Sequence, residues 1–273
     1  MRIKIISQNI WDVPFWFSTK RKERIPRLGK FFKEQDAEII CFQESFDVLH
    51  RNKLHEFLGK EKYEASESDT NGKTRRVLLF KRFDLTGGIV TFSKLPIKKS
   101  YFVRYRRFVD MMFSEYIGRK GVLETIVETP KGPIMVMSTH LHHGWTSVDH
   151  RIRLKQLRQL IKAAKAAKSM PVIVAGDFNE NDMFKDNDFA HLLRKAGFTD
   201  PARGEKEESR PTIRFGNHYA SKTWFNRSPK SRRIDYIITK DLEKFGWKVA
   251  DFKVLDQPKS PLSDHDPVML VIE

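Results

Sequence analysis

Short runs of β-branched residues alternate along this chain with stretches whose apolar positions recur at three- and four-residue intervals. The first pattern predicts strands and the second amphipathic helices. IKIISQNIW, beginning at Ile3, is the first strand. ERIPRLGKFFKEQ follows as a helix, with Ile25, Leu28, Phe31 and Phe32 on one face and Pro26 placed in its first turn, where a missing N–H costs little. AEIICFQES is a second, buried strand and DVLHRNKLHEFLGK a second helix. RRVLLFKR, GGIVTFSK and YFVRYRRF are strand-like and separated by turn residues. GVLETIVETPKGPIMVMSTHL predicts a β-hairpin turning at Pro-Lys-Gly. The longest helix is expected over residues 148–168, with Ile152, Leu154, Leu157, Leu160 and Ile161 on its apolar face. A buried strand PVIVAGDFN, a helix at DFAHLLRKAG, and the strands RRIDYIIT, KVADFKVL and PVMLVIE complete the series.

Strands interspersed this regularly with helices predict an α/β fold, with sheet inside and helices outside. No repeat, low-complexity tract or Pro/Gly/Ser linker interrupts the pattern, so residues 1–273 are expected to form one domain. Composition changes this picture little. Hydrophobic residues make up 40% of the chain and include 21 Phe and 5 Trp, enough for a sizeable core, which argues against disorder. One cysteine, Cys41 in AEIICF, excludes a disulfide framework and reads as a small core residue. Apolar stretches fall well short of the roughly 20 residues a membrane span needs. The first residues, MRIKIISQNIW, show no signal-peptide core. A soluble, cytoplasmic protein is expected.

Charge adds a preference for certain partners. With 51 basic and 35 acidic side chains the net charge is +16, which favours nucleic acid, anionic headgroups or phosphate esters. That concerns encounter, not chemistry.

The chemistry lies at the strand ends. Asn9 closes the first strand, Gln43-Glu44 the second, Thr139-His140 the hairpin and Gly176-Asp177-Phe178-Asn179 the buried strand. Asp235 interrupts RRIDYII, and Asp264-His265 precede the last strand. A carboxylate inside an apolar strand is costly unless it is paired, hydrogen-bonded or bound to a metal. An α/β sheet gathers its strand-end loops on one rim, so six such positions point to one site. Oxygen donors such as Glu44, Asp177, Asp264, Asn9 and Asn179 suit a hard cation, Mg²⁺ or Mn²⁺. Histidines beside carboxylates can supply a base and a phosphate-contacting donor, which together with a metal serve in-line displacement at phosphorus.

SQNIW, CFQES, STHLHHG, VIVAGDFNEND, RRIDYII and PLSDHDPVML, in that order, resemble the endonuclease/exonuclease/phosphatase superfamily over almost the whole chain. The resemblance implies a four-layered α/β sandwich, two mixed sheets face to face with helices on the outside, and metal-assisted hydrolysis of a phosphoester. It implies that Glu44 is the main metal ligand with Asn9 and Asp264 near the same ion. Asp177 would orient the attacking water, and Asn179 would hold a phosphate oxygen. His140 would contact the scissile phosphate, and His265, oriented by Asp235, would be the general base.

Within that superfamily the apurinic-endonuclease and inositol-phosphatase signatures are missing. RIPRLGKFF, IVTFSKLPI, YIGRKGVLETIV, STHLHH, HRIRLKQLRQL and SPLSDHDPVM are more similar to the neutral sphingomyelinase branch. That likeness pairs an acid, here Glu115, with Lys120; Lys120 and His142 are the substrate-binding candidates, His142 and His143 edging the pocket mouth. It implies a phosphoester substrate, a phospholipid headgroup ahead of DNA or RNA; a monomer, with peripheral contact with membrane, is expected. Two aromatic stretches, WDVPFWF (11–17) and YFVRYRRFVDMMFSEY (101–116), would suit a lipid interface, single-stranded nucleic acid or plain core packing. Asp266 reads as a loop acid.

Overall fold

Strand β1 (Ile3–Asn9) sends Ile3 and Ile5 to one side and Ile6 to the other, as the two-residue period of a strand requires. β2 (Ile39–Gln43) and β12 (Val268–Ile272) divide in the same way: Ile39, Cys41, Val268, Leu270 and Ile272 face one core, and Ile40, Phe42 and Met269 another. In a second sheet, β7 (Ile134–His140), β8 (Val172–Asp177) and β10 (Asp235–Lys240) add Ile134, Val136, Ile173, Ala175 and Ile237 to the first of these cores. Their alternate residues Met135, Met137, Val172, Val174, Tyr236 and Ile238 build a third core. Strands buried on both faces need a layer on each side.

The computed structural model describes residues 1–14, 17–68, 83, 86–220 and 231–273. The remaining strands are β3 (Glu64–Glu67), β4 (Val90–Ser93), β5 (Ile97–Arg104), β6 (Gly121–Val127), β9 (Phe198–Thr199) and β11 (Val249–Val254). They complete two six-stranded mixed sheets, ordered β11-β12-β1-β2-β4-β3 and β5-β6-β7-β8-β10-β9. Helices α1 (Arg21–Gln35) and α2 (Val48–Leu58) cover the outer face of the first through Ile25, Leu28, Phe32, Leu54 and Leu58. α4 (Ser147–Ala164) and α5 (Asp188–Lys195) cover the second through Leu154, Leu157, Leu160, Phe189 and Leu193. The expected four-layered α/β sandwich is the fold. Cys41 lies in the layer between the sheets, and burial pushes its thiol up to about 12.

Several expectations shift. α1 starts at Arg21, so Pro26 sits in its second turn rather than its first. α4 stops at Ala164, four residues early, after a start fixed by a capping box between Thr146 and Asp149. β3, β9 and the short helix α3 (Phe113–Gly118) had no periodic signal. β3 reads EASE and among the described residues pairs only with β4, so backbone pairing rather than burial makes it a strand. The predicted strand RRVLLFKR lies outside the described residues, as do Phe15 and Trp16 of the aromatic stretch.

One buried cation ties the layers at the site end. Arg24 of α1, fully buried, donates to the carbonyls of Ile10 (2.9 Å), Trp11 (2.7 Å), Leu262 (2.8 Å) and Thr19 (2.9 Å). Its guanidinium lies 5.0 Å from the centre of the Trp11 ring. Burial lowers its pKa against the opposing pull of Asp264 and Asp12. Arg24→Met is expected to cost on the order of 3–5 kcal/mol, because the buried carbonyls lose their donor at ~1–3 kcal/mol each. A urea melt checks this; an unchanged midpoint would show that the carbonyls find other partners.

Candidate active site

Strand register gathers the polar residues. In the second sheet His140 pairs with Asp177 and Asp177 with Asp235, placing three candidate side chains side by side on one rim. In the first, Asn9 pairs with Gln43, Glu44 follows directly, and Asp264-His265 stand just before β12. The two rims then meet across the inter-sheet core. Asn9 Nδ2 donates to Asp177 Oδ2 at 3.1 Å, His265 Nδ1 to Asp235 Oδ2 at 2.8 Å, and His140 Nε2 lies 3.9 Å from Glu44 Oε1 and 3.3 Å from Asp177 Oδ2. The site is the seam between the sheets.

Local backbone geometry serves this convergence. Gly176 has φ +153°, and a Cβ there would lie 1.9 Å from the Thr139 carbonyl oxygen, so only glycine lets β8 bring Asp177 level with His140. Glu44 and Asn179 adopt left-handed φ of 55° and 51°, which for a glutamate costs roughly 1–3 kcal/mol. Such strain persists where surrounding contacts enforce it. Asn179 N donates to Asp177 Oδ1 at 2.8 Å and its side-chain amide to the Leu141 carbonyl at 3.1 Å.

The loop carrying His265 is held by residues that no motif flagged. Gln257 accepts from Leu262 N (2.6 Å) and Ser263 N (2.9 Å), and donates to the carbonyls of Ser263 and His265 and to Asp266. Gln8 also donates to the His265 carbonyl, at 2.6 Å. Ser263 Oγ donates to the Asn9 carbonyl at 2.6 Å, and Thr212 Oγ accepts from Asp235 N at 3.1 Å. Just below the site, buried Gln43 spans the sheets from Ser7 Oγ (3.2 Å) to Ser138 Oγ (3.1 Å). Asp266, expected to be a plain loop acid, is buried and paired with Arg214 at 2.5 Å.

Electrostatically the seam is short of positive charge. Burial, with the charge of Asp264 beside it, pushes Glu44 up to about 7, and its Oε2 is buried with no protein partner among the described residues. Burial pushes Asp235 up; burial acts the other way on His265, but Asp235, Asp264 and Asp177 outweigh it and raise that imidazole well above its ordinary value. His140 is pushed down to about 3 by burial and by Lys120, so it is a neutral imidazole. A buried, unpartnered carboxylate oxygen beside a second acid fits a divalent cation, and an all-oxygen donor set of Glu44, Asn9 and Asp264 suits a hard one. His265 Nε2 remains 3.9 Å from Asp177 Oδ2 and 4.0 Å from Asp264 Oδ1, beyond hydrogen-bond range of both and open to a further partner.

Lys120 approaches this seam, donating to the Leu141 carbonyl at 2.8 Å and pairing with Glu115 at 2.9 Å, so the expected acid–lysine pair forms. His142 does not edge the pocket mouth. It is fully buried, with Nδ1 3.2 Å from Glu115 and Nε2 2.8 Å from Asp149, and so braces α3 and α4. The capping role of Asp149 at α4 is what draws it inward. A second group of Asp12, Asp47 and His50 lies nearby, but Arg21 already fills it, 2.7 Å from Asp12 and 3.0 Å from Asp47. Trp11, at the start of the first aromatic stretch, is core.

Comparison with known proteins agrees with this fold. The Endonuclease/Exonuclease/phosphatase family matches residues 16–265, and the chain belongs to that family, whose members hydrolyse phosphoesters. Sphingomyelinase C 2 of Leptospira interrogans is 23% identical over 217 residues, 74% of this chain and 34% of that protein. The chain thus spans about a third of the length of that relative. Among solved structures, Staphylococcus aureus beta toxin with bound magnesium ions superposes with a TM-score of 0.75 at 18% identity, covering 99% of each chain. D. rerio TDP2 complexed with a single-strand DNA product reaches 0.74 at 16% identity, covering 100% of this chain and 99% of that one. Among the described residues no helix is long and apolar enough to cross a membrane.

Proposed function

We propose that the chain is a Mg²⁺-dependent phosphodiesterase that releases the phosphorylated headgroup of a sphingomyelin-like phospholipid. The observation that carries the reaction type is the His265–Asp235 pair, bonded at 2.8 Å across the seam with His265 Nε2 turned towards Asp177 and Asp264. The likeness to a sphingomyelinase supports the choice of substrate.

In this reading Asp235 holds the imidazole, and a cation offsetting the charge of Asp264 would bring its raised pKa down so that Nε2 takes a proton from the attacking water. Asp177, fixed by Asn9 and by the Asn179 backbone, orients that water. The water oxygen forms a bond to phosphorus, the bond from phosphorus to the lipid alcohol breaks, the departing alkoxide takes a proton from solvent, and His265 returns its own proton to solvent. His140 and Asn179 donate to the phosphoryl oxygens, the neutral imidazole by a single N–H. Lys120 adds positive charge from behind Leu141. Mg²⁺, held by Glu44 with Asn9 and Asp264 close by, would neutralise phosphate charge and favour attack at phosphorus.

The purified protein should release phosphocholine from sphingomyelin micelles with Mg²⁺ and lose that activity in EDTA. Plasmid nicking without phosphocholine release would move the substrate to nucleic acid, the reading that the charge of +16 favours. His265→Ala should lower turnover by about 10²–10⁴-fold with the fold intact by circular dichroism, and undiminished turnover would sink the base assignment.

A pH dependence follows from Glu44. Its carboxyl is raised from 4.5 to about 7, so without a cation the folded protein loses stability as pH climbs through that window and the group must ionise in place. A cation binds the ionised form, so the thermal shift produced by Mg²⁺ should be larger at pH 8 than at pH 6, and Glu44→Gln should abolish the difference. A Mg²⁺ shift independent of pH would remove Glu44 from the ligand set.

A further inference from the structure

Large apolar side chains left in solvent are unevenly placed on this protein. Among the described residues the three barest are Val109 (99% exposed), Phe113 (79%) and Phe215 (65%). All three stand at the rim that carries the site. Arg104, the last residue of β5, pairs with Gly121, next to the Val122–Thr139 pair, so the segment from Tyr105 to Lys120 leaves the sheet beside His140. Phe215 is held through its N–H by Ser231 Oγ, a few residues ahead of Asp235. Exposed apolar residues gathered on one face mark a contact surface.

The chemistry of that face selects among partners. Arg104, Arg106 and Arg107 are exposed in the same segment, next to Met112, which is also exposed. Stacking on nucleic-acid bases needs open aromatic faces. Three of the rings here carry the protein's own cations, Arg107 lying 4.2 Å from the centre of the Tyr116 ring, Lys155 4.5 Å from Phe108 and Arg232 3.8 Å from Trp145, while Phe113 and Phe215 stay bare. Val109 and Met112 have no ring to offer. Aliphatic tips ringed by arginine match a lipid surface, where apolar side chains enter the acyl boundary and cations meet phosphate headgroups.

We propose that this rim docks on an anionic lipid surface, with Val109, Met112 and Phe113 entering the interface, Arg104, Arg106 and Arg107 on its phosphates, and the seam turned towards the membrane. The proposal rests on the phospholipid reading of the substrate and adds the surface through which the enzyme meets it.

Co-sedimentation with phosphatidylcholine vesicles, with and without phosphatidylserine, tests it. The wild type should pellet preferentially with the anionic vesicles. Val109→Glu with Phe113→Glu should weaken that partitioning roughly tenfold or more. Replacing the three arginines by glutamine should erase the preference for phosphatidylserine. In the Phe113→Trp variant, indole emission should shift to the blue on vesicles and be quenched by bilayer-embedded bromolipid. The glutamate pair should still hydrolyse a short-chain, monomeric phospholipid at the wild-type rate, since neither residue touches the seam. Unchanged vesicle binding by the glutamate pair, with no blue shift in the Phe113→Trp variant, overturns the docking surface whatever the substrate proves to be. Vesicle docking by a protein that hydrolyses no lipid upholds the surface and overturns the substrate. Loss of oligonucleotide binding in the variants, with vesicle partitioning intact, assigns the rim to nucleic acid and overturns the proposal.

Discussion

Everything functional in this protein depends on two sheets being held face to face by a dry layer of side chains. Ile3, Ile5, Ile39, Val136, Ile173, Val268 and Leu270 interlock between them, each fully buried and each contributing about 1.5–3 kcal/mol relative to exposure. Because that layer is close-packed, the spacing of the sheets has little slack. The distance between the two strand-end rims is therefore set by apolar volume well below the site. Where the layer ends, polar residues begin: Gln43 bridges Ser7 and Ser138, and above it come Asn9, Glu44, His140 and Asp177.

That arrangement places charge where it is poorly tolerated. Glu44, Asp177, Asp235 and Asp264 are all buried or nearly so, and compensation within the protein comes chiefly from His265, Lys120 and hydrogen bonds. Raised carboxyls at Glu44 and Asp235, beside a left-handed Glu44 backbone, mark a site whose native state is held in place by its surroundings. Arg24 supplies much of that restraint, clamping the loops that follow β1 and precede β12. A cation taken up at Glu44 would relieve the imbalance, which links metal affinity and stability in one group of side chains.

Much of this was readable beforehand because it rests on local chemistry. Period-two runs identified the strands that build the core, and an acid or amide closing an apolar run located Asn9, Glu44, Asp177 and Asp235. Residues whose roles are to hold others were silent. Gln257 and Thr212 have no motif, since an amide or hydroxyl in a loop looks the same whether it faces water or secures His265 or Asp235. Arg24 looked like one more basic residue on an amphipathic helix. His142 looked like a pocket residue because it lies in HLHH, and only the direction of its ring decided otherwise.

By itself the sequence determined the fold class, the rim to which each polar strand end belongs and the kind of chemistry those residues support, because these follow from periodicity and residue type. Tertiary structure decided what touches what. It paired residues 30 positions apart, His265 with Asp235, and 168 apart, Asn9 with Asp177, drew His142 inward and left Val109 and Phe113 bare at the rim. Contacts across a seam between sheets arise from packing two faces together, and no short stretch of chain encodes them.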